Sequence, residues 1–316
     1  MGFTNLITNF KTHFKPKQSN KIRIGLDWGF SSLKVVVLEA KQGQAYLLKD
    51  ARIIQCSSEG PDLGSLVKEL DFSGGINLGI CGPDVVIRYV EMAKMGEEEF
   101  KASLRYEAAS HLPFPVDDLN LDGVILKDLA DNKMLVMLAA ARKNFIDQQL
   151  RLFQETKIKV NILDIDSLAL INAFSYTHPG DGILSGAVAL LNIGATVTNI
   201  NILEDGIPCF SRDINFGGRD FADKLSHETM ITNFVTELRK SFDYYEAGST
   251  TIIHTIFLSG GGSLVFGLQN NLENLLAISI ERWNPCANFE FAAGLDKGDI
   301  EKTSSQLAVA VGLALR

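Results

Sequence analysis

The 316-residue sequence predicts an α/β protein of two similar lobes, each a mixed sheet with flanking helices. Three observations carry that prediction. Residues 22–40, IRIGLDWGFSSLKVVVLEA, read as two apolar strands joined by a glycine turn. Residues 187–206, AVALLNIGATVTNINILEDG, write the same pattern again, and residues 255–263, TIFLSGGGS, run from a strand into three glycines.

Laid on one another, the two hairpins place Asn192 on Asp27, Gly194 on Gly29, Thr196 on Ser31, Leu203 on Leu38 and Glu204 on Glu39. Two like hairpins in one chain imply two like halves facing a shared cleft. In the first, Ile22, Ile24 and Leu26 form one arm, Leu33 to Leu38 the other, and Gly29 lets the backbone turn. Phe30, Ser31 and Ser32 can then direct amides and hydroxyls at one spot, a cradle for phosphate oxygens. Asp27 stands at its rim, where a carboxylate holds hydrated Mg²⁺. A single glycine turn between apolar strands is otherwise plain scaffold; the repeat is what favours a phosphate clamp.

Composition sets the class. With 46% hydrophobic and 22% charged residues the chain can bury a large core, and its length suggests two lobes. A net charge of −8, with no basic stripe carrying interleaved aromatics, argues against a nucleic-acid binder. The four cysteines, Cys56, Cys81, Cys209 and Cys286, stand apart, so neither a zinc site nor a disulfide framework is indicated and a reducing cytoplasm fits. No apolar run is long enough for a membrane span, and no signal peptide is expected.

Taken in order, residues 1–21 put Phe3, Leu6, Ile7, Phe10 and Phe14 at helical spacing beside Lys11, Lys15, Lys17 and Lys21. This is either a membrane-surface or partner-docking helix or a frayed terminus ending at Pro16. After the first hairpin, residues 45–55 read as a strand, Asp62 to Leu70 as a helix capped by Asp62, and Ile76 to Cys81 as a further strand. The first lobe is expected over 22–185, with a small module inserted at about 83–166, where the pattern changes. Within it Val85 to Met92 alternates as a strand, Glu97 to His111 is helical, Pro113-Phe114-Pro115 forces a rigid turn, Met134 to Ala140 is a buried strand and Lys143 to Thr156 a helix.

The second lobe is expected over 186–305. Its hairpin leads to Phe216-Gly217-Gly218-Arg219-Asp220-Phe221, a turn into a helix whose free amides could meet an anion or a sugar. Ile231, Phe234, Val235, Leu238, Phe242 and Tyr245 then share one helical face, which is scaffold. Strand, Gly260-Gly261-Gly262-Ser263 and a helix through Leu275 follow, a place where backbone approaches a flat ligand or two elements cross tightly. Residues 306–316 are an apolar helix returning to the first lobe.

In this order, these features resemble the fold shared by actin, sugar kinases and heat-shock chaperone ATPases, with an actin-like ATPase fold as the implied architecture. More narrowly the chain resembles the PilM family of type IV pilus assembly. The resemblance covers about residues 22–316, through IGLDWGFSSLKVV at 24–36, LRYEAASHLPFPVDDLNLD at 104–122, LAAARKNFIDQQL at 138–150, LLNIGATVTNINIL at 190–203, FGGRDF at 216–221 and LSGGGSLVFGL at 258–268. It implies a cytoplasmic protein at the inner face of the inner membrane that binds ATP in its cleft. Its partner is the N-terminal cytoplasmic tail of a PilN-like membrane protein, and it thereby couples the pilus motor ATPases to the envelope complex. Carried over by motif, Asp27 positions Mg²⁺; Gly29, Ser31 and Ser32 make the first phosphate loop; Gly194, Ala195 and Thr196 make the second. Gly217 and Gly218 lie near the ribose, and Gly260, Gly261, Gly262 and Ser263 against the adenosine.

Two departures matter. The second hairpin of this family normally begins with Asp, and Asn192 stands here; an amide carries no charge for Mg²⁺ and cannot act as a general base. Only Ala222 to Met230 separates the FGGRDF turn from the next helix, where relatives fold a small outer subdomain over the adenine. The expectation is therefore a scaffold with weak ATP and Mg²⁺ binding and impaired hydrolysis. The alternatives are an active actin-like ATPase of cell division resembling FtsA, a small-molecule kinase, or a component of a type II secretion or mannose-sensitive pilus system.

Overall fold

The computed structural model describes residues 21–316 apart from 42–44, 57–71, 73, 155, 157, 180–184 and 222–226. The amphipathic segment before Lys21, the helix expected over Asp62 to Leu70 and most of the stretch Ala222 to Met230 lie outside them.

The chain opens with β1 (Ile22–Trp28), β2 (Ser32–Ala40), β3 (Tyr46–Gln55) and β4 (Ile76–Ile80). β1 and β2 pair antiparallel, with Ile24 opposite Val37 and Asp27 opposite Lys34, while β4 lies parallel on the other side of β1. Both faces of this hairpin are buried, which is why its arms are continuous apolar runs rather than alternating ones.

A separate sheet follows. β5 (Val85–Ala93), helix α1 (Glu97–Ala108), β6 (Leu119–Leu129) and β7 (Lys133–Arg142) form a three-stranded antiparallel unit in the order β5-β7-β6. Helix α2 (Lys143–Gln154) buries Ile146 and Phe153, and β8 (Val160–Ile165) pairs parallel with β4 in the first sheet. The extra sheet thus occupies only the first two thirds of the stretch where the sequence pattern changes.

Helix α3 (Asp166–Thr177) passes to β9 (Ala187–Ile193), β10 (Thr198–Glu204) and β11 (Ile207–Ile214). A 3-10 turn at Gly218–Phe221 precedes α4 (His227–Glu246), which buries all six residues of its expected apolar face. β12 (Ile253–Ser259), α5 (Leu268–Leu276) and β13 (Ser279–Arg282) complete a five-stranded sheet ordered β11-β10-β9-β12-β13. β14 (Glu290–Phe291) then joins β3, so the six-stranded first sheet reads β14-β3-β2-β1-β4-β8. α6 (Lys297–Thr303) follows, and α7 (Ala308–Ala314) lies against that sheet.

Helix α7 is buried on every side and touches β1 and α3 through backbone. A Cβ on Gly25 would lie 2.0 Å from the Ala310 carbonyl oxygen, and one on Gly312 would lie 1.7 Å from that of Ala169. Beyond the helix, the buried Arg316 pairs with the buried Asp164, and Arg23 donates to the Leu315 and Arg316 carbonyl oxygens and to the Tyr46 hydroxyl.

This crossing sets a measurable demand. Gly312→Ala is expected to lower the unfolding free energy in urea by at least about 1–3 kcal/mol, because no flexible side chain is there to yield. A value within about 0.5 kcal/mol of the unsubstituted chain, the range of inconsequential surface changes, would show that α3 and α7 separate at no cost.

Candidate functional site

The first hairpin turns as the sequence requires. Gly29 donates its amide to the Ser32 carbonyl at 3.1 Å, and a side chain there would meet the Lys34 ammonium at 2.6 Å. Lys34 is the lone charge in a β-branched run, and it reaches back to Asp27 with Nζ to Oδ2 at 3.1 Å. Burial works to lower the Lys34 pKa, but the Asp27 charge and hydrogen bond, with Asp166 behind them, hold it above its ordinary value. Of the predicted residues, Ser31 lies in the turn and Ser32 is buried at the first position of β2, opposite Gln55.

The predicted residues of the second lobe come together. Gly194 turns the second hairpin by donating its amide to the Val197 carbonyl at 2.9 Å. Gly218 donates to the Gly194 carbonyl at 2.8 Å and Arg219 to that of Ala195 at 2.9 Å, so the turn at Gly217 is laid against the hairpin loop. A Cβ on Gly217 would lie 2.5 Å from the Thr196 nitrogen, and one on Gly218 would lie 3.1 Å from Gly262 Cα. Gly260 adopts φ +82°, with a Cβ position 2.3 Å from the Ile193 carbonyl oxygen; the matching distance for Gly262 is 2.3 Å to Ile193 Cγ2. Ser263 is buried and donates to the Gly260 carbonyl at 2.7 Å. These glycines therefore let three backbone segments touch, and the amides of Gly194, Gly217, Gly218, Gly260 and Ser263 are used within the protein.

Asn192 faces Asn199 across the second hairpin, the place that Asp27 and Lys34 occupy in the first. Its Oδ1 accepts from the Ser259 hydroxyl at 3.3 Å and lies 2.6 Å from the Cβ position of Gly260. The carboxamide is wedged between two strands.

Asp166, which the sequence reading passed over, is the most perturbed carboxyl of the cleft. It opens α3 at the carboxyl end of β8, where open α/β sheets place their ligands. Its Oδ1 is buried with no hydrogen-bond partner among the described residues and lies 2.4 Å from the Cβ position of Gly79. Burial, then the charge of Asp27, raises its pKa to about 8, and its own charge holds the Cys81 thiol well above the ordinary range. The signal in the sequence was an Asp ending a strand just before an apolar helix.

Further contacts cross between units. Asn199 donates to the Ser167 hydroxyl and to Asp213, each at 2.7 Å; Asn201 donates to Asn199 at 2.6 Å; Ser211 donates to Asn201 at 2.6 Å. The Tyr89 hydroxyl on β5 meets Ser211 at 3.0 Å, and Lys127 on β6 meets Glu204 at 3.5 Å, so the small sheet touches the second lobe. At the mouth of the cleft, the Arg219 guanidinium lies over the Phe30 ring at 4.6 Å.

These residues fit hydrated Mg²⁺ and a polyphosphate on the first-lobe side, where Asp27 stands near an orphaned Asp166 oxygen. Mg²⁺ is held by one or two carboxylates and otherwise by water and phosphate. Among the described residues no cluster of three or more His, Cys, Asp or Glu is placed to hold a metal by itself, and no helix is long and apolar enough to cross a membrane.

The family model described as "Type IV pilus assembly protein PilM" matches residues 65–232 and 228–316. Among solved structures, the chain is similar to a "PilM-PilN type IV pilus biogenesis complex", at 22% identity over 95% of this chain and 99% of that one, with a TM-score of 0.80. It is also similar to a Bacteroides thetaiotaomicron VPI-5482 protein with an actin-like ATPase fold and unknown function, at 12% identity over 84% and 92% of the two chains, with a TM-score of 0.51. The fold is thus the actin-like ATPase fold.

The state of Asp166 gives a pH dependence. Its folded-state pKa is raised to about 8, so the folded protein keeps a proton that the unfolded chain releases above about 4. Stability from this group is therefore complete below the unfolded-state value and is lost as pH rises toward the folded one. Asp166→Asn is expected to melt about 3–6 °C above the unsubstituted chain at pH 8, with the difference vanishing toward pH 4. Thermal melts at both pH values check this, and an equal difference at both would contradict it.

Proposed function

The chain belongs to the PilM family of type IV pilus assembly proteins, and on that footing we propose that it is an actin-like scaffold that holds partners and hydrolyses ATP weakly or not at all. The observation that carries this reading is the cross-strand pair in the second hairpin. Where the first hairpin sets Asp27 against Lys34, the second sets Asn192 against Asn199, and neither amide can ligate a metal with charge or accept a proton.

The cleft keeps the means to hold a nucleotide on one side. Asp27 would position Mg²⁺, with Gly29, Ser31 and Ser32 at the first phosphate loop and Gly194, Ala195 and Thr196 at the second. Gly217 and Gly218 would lie beside the ribose, and Gly260, Gly261, Gly262 and Ser263 beneath the adenosine. Bound Mg²⁺ would supply charge neutralisation for the phosphates. The match to the family model comes in two pieces that meet at 228–232, beside the short connection from Phe221 to α4. The shortness of that connection in the sequence supports the absence of an outer subdomain over the adenine, and hence weak binding.

The partner is read from the family. The likeness to a PilM-PilN complex supports the N-terminal cytoplasmic tail of a PilN-like membrane protein as the ligand of this chain. Such a tail would hold the protein at the inner face of the inner membrane, within reach of the pilus motor ATPases.

Three measurements on the purified protein test this. The unsubstituted chain is expected to bind a peptide copied from the PilN-like tail while releasing no phosphate from ATP and Mg²⁺ above background. Asn192→Asp is expected to bind the same peptide equally and to gain phosphate release. Turnover by the unsubstituted chain as fast as that of Asn192→Asp would overturn the scaffold reading, and ATP-dependent pelleting of the protein would favour a filament-forming ATPase in its place.

A further inference from the structure

The contact between Phe30 and Arg219 joins the tips of two loops that belong to different lobes. Phe30 is the apex of the first hairpin and is 68% exposed, an unusual place for a phenyl ring. Arg219 is fixed to the second hairpin through its own backbone, which donates to the Ala195 carbonyl at 2.9 Å. Its guanidinium therefore lies in the gap between the two loops, 4.6 Å from the ring centroid. The side chain is exposed and forms no ion pair among the described residues.

The charge of the cleft makes that position informative. Asp27, Asp166 and Asp213 interact electrostatically there, and the one lysine among them, Lys34, is already paired with Asp27. An anion entering between the loops meets Asp27, Asp213, an Asp166 that keeps its proton below about pH 8, and a committed ammonium. Among the described residues Arg219 is the uncommitted cation within reach, and a guanidinium fork matches phosphate oxygens two at a time. Its stack on an exposed ring is weak by comparison, so an arriving phosphate outcompetes it.

We propose that Arg219 is the side chain that receives the terminal phosphates of a nucleoside polyphosphate, and that Phe30 holds its guanidinium at the mouth of the cleft until that anion arrives. This rests on the nucleotide reading of the cleft. It assigns a phosphate-binding role to a residue inside a turn otherwise defined by its glycines. It also gives the exposed phenyl ring a function that packing does not supply.

The test is equilibrium binding by the full chain, with no turnover required. Trinitrophenyl-ATP with Mg²⁺ is titrated by fluorescence, and inorganic tripolyphosphate is titrated separately through the emission of Trp28, which lies next to the loop. Arg219→Ala is expected to weaken both ligands about tenfold and to flatten the dependence of affinity on salt, while Arg219→Lys recovers part of the loss. Phe30→Ala, which frees the guanidinium, is expected to tighten both about two- to fivefold. If Arg219→Ala binds as well as or better than the unsubstituted chain, the contact is a latch between lobes and the phosphate role is overturned. If Phe30→Ala weakens binding as much as Arg219→Ala, the ring itself carries the affinity and the proposal also fails. A chain that binds neither probe overturns the nucleotide reading, and the role of Arg219 with it. Binding that is insensitive to Arg219 overturns the role alone.

Discussion

The first lobe is built around a place where backbone lies directly on backbone. Helix α7 lies directly on β1 and α3, with Gly25 under Ala310 and Gly312 against Ala169, at separations that leave no room for a methyl group. Interiors are packed without slack, so a backbone contact of this kind fixes its elements more firmly than interlocking side chains do. It fixes α3 in particular, and α3 begins at Asp166. A third glycine completes the arrangement, since Gly79 is the reason the Asp166 carboxyl can come down onto the end of β4. The chemistry of the cleft is placed by positions where the chain has nothing to offer but space.

The two hairpins share geometry and differ in charge. In the first, a half-buried lysine and a buried aspartate face each other, an arrangement that is costly to break because either partner alone would be left uncompensated. In the second, two amides occupy the same positions, and their hydrogen bonds tie strands together. A cleft whose walls were both acidic would bind a metal and repel a bare anion. Here the first hairpin carries the carboxylate and the second only amides at the matching pair, so a hydrated cation is drawn toward the first lobe.

Much of this was legible in the sequence. The hairpins were readable because a glycine between two apolar runs has few other meanings, and their repetition implied the two lobes. The buried face of α4 was readable because Ile231, Phe234, Leu238 and Phe242 recur at helical spacing. By contrast, β8 and α3 form one nearly unbroken apolar stretch, NILDIDSLALINAF, in which no period separates strand from helix. The role of Asp166 was hidden for the same reason, and because its burial depends on a glycine far away in the chain. Phe30 and Arg219 were each visible, but their meeting is a fact of tertiary structure that no local spacing encodes. The glycines at 217 and 218 read as a turn with free amides, which are instead bonded within the protein, while those at 260 and 262 read as places of close approach. What approaches is largely backbone, a distinction that composition does not make.

The hydrogen bonds running from Ser167 and Asp213 through Asn199, Asn201 and Ser211 to Tyr89 form a continuous thread from beside Asp166 to the small sheet. Each link is short, and several of its atoms have no water to turn to if the thread is pulled apart, so its members move together or find new partners together. The small sheet is thus tethered to the opposite lobe by polar groups that a tilt would have to re-pair. A protein that leans on that sheet from outside works, in effect, on a lever whose short arm ends at the cleft. Linkage makes the lever two-way: whatever factor a ligand in the cleft contributes to the hold on that protein, the protein returns to the ligand.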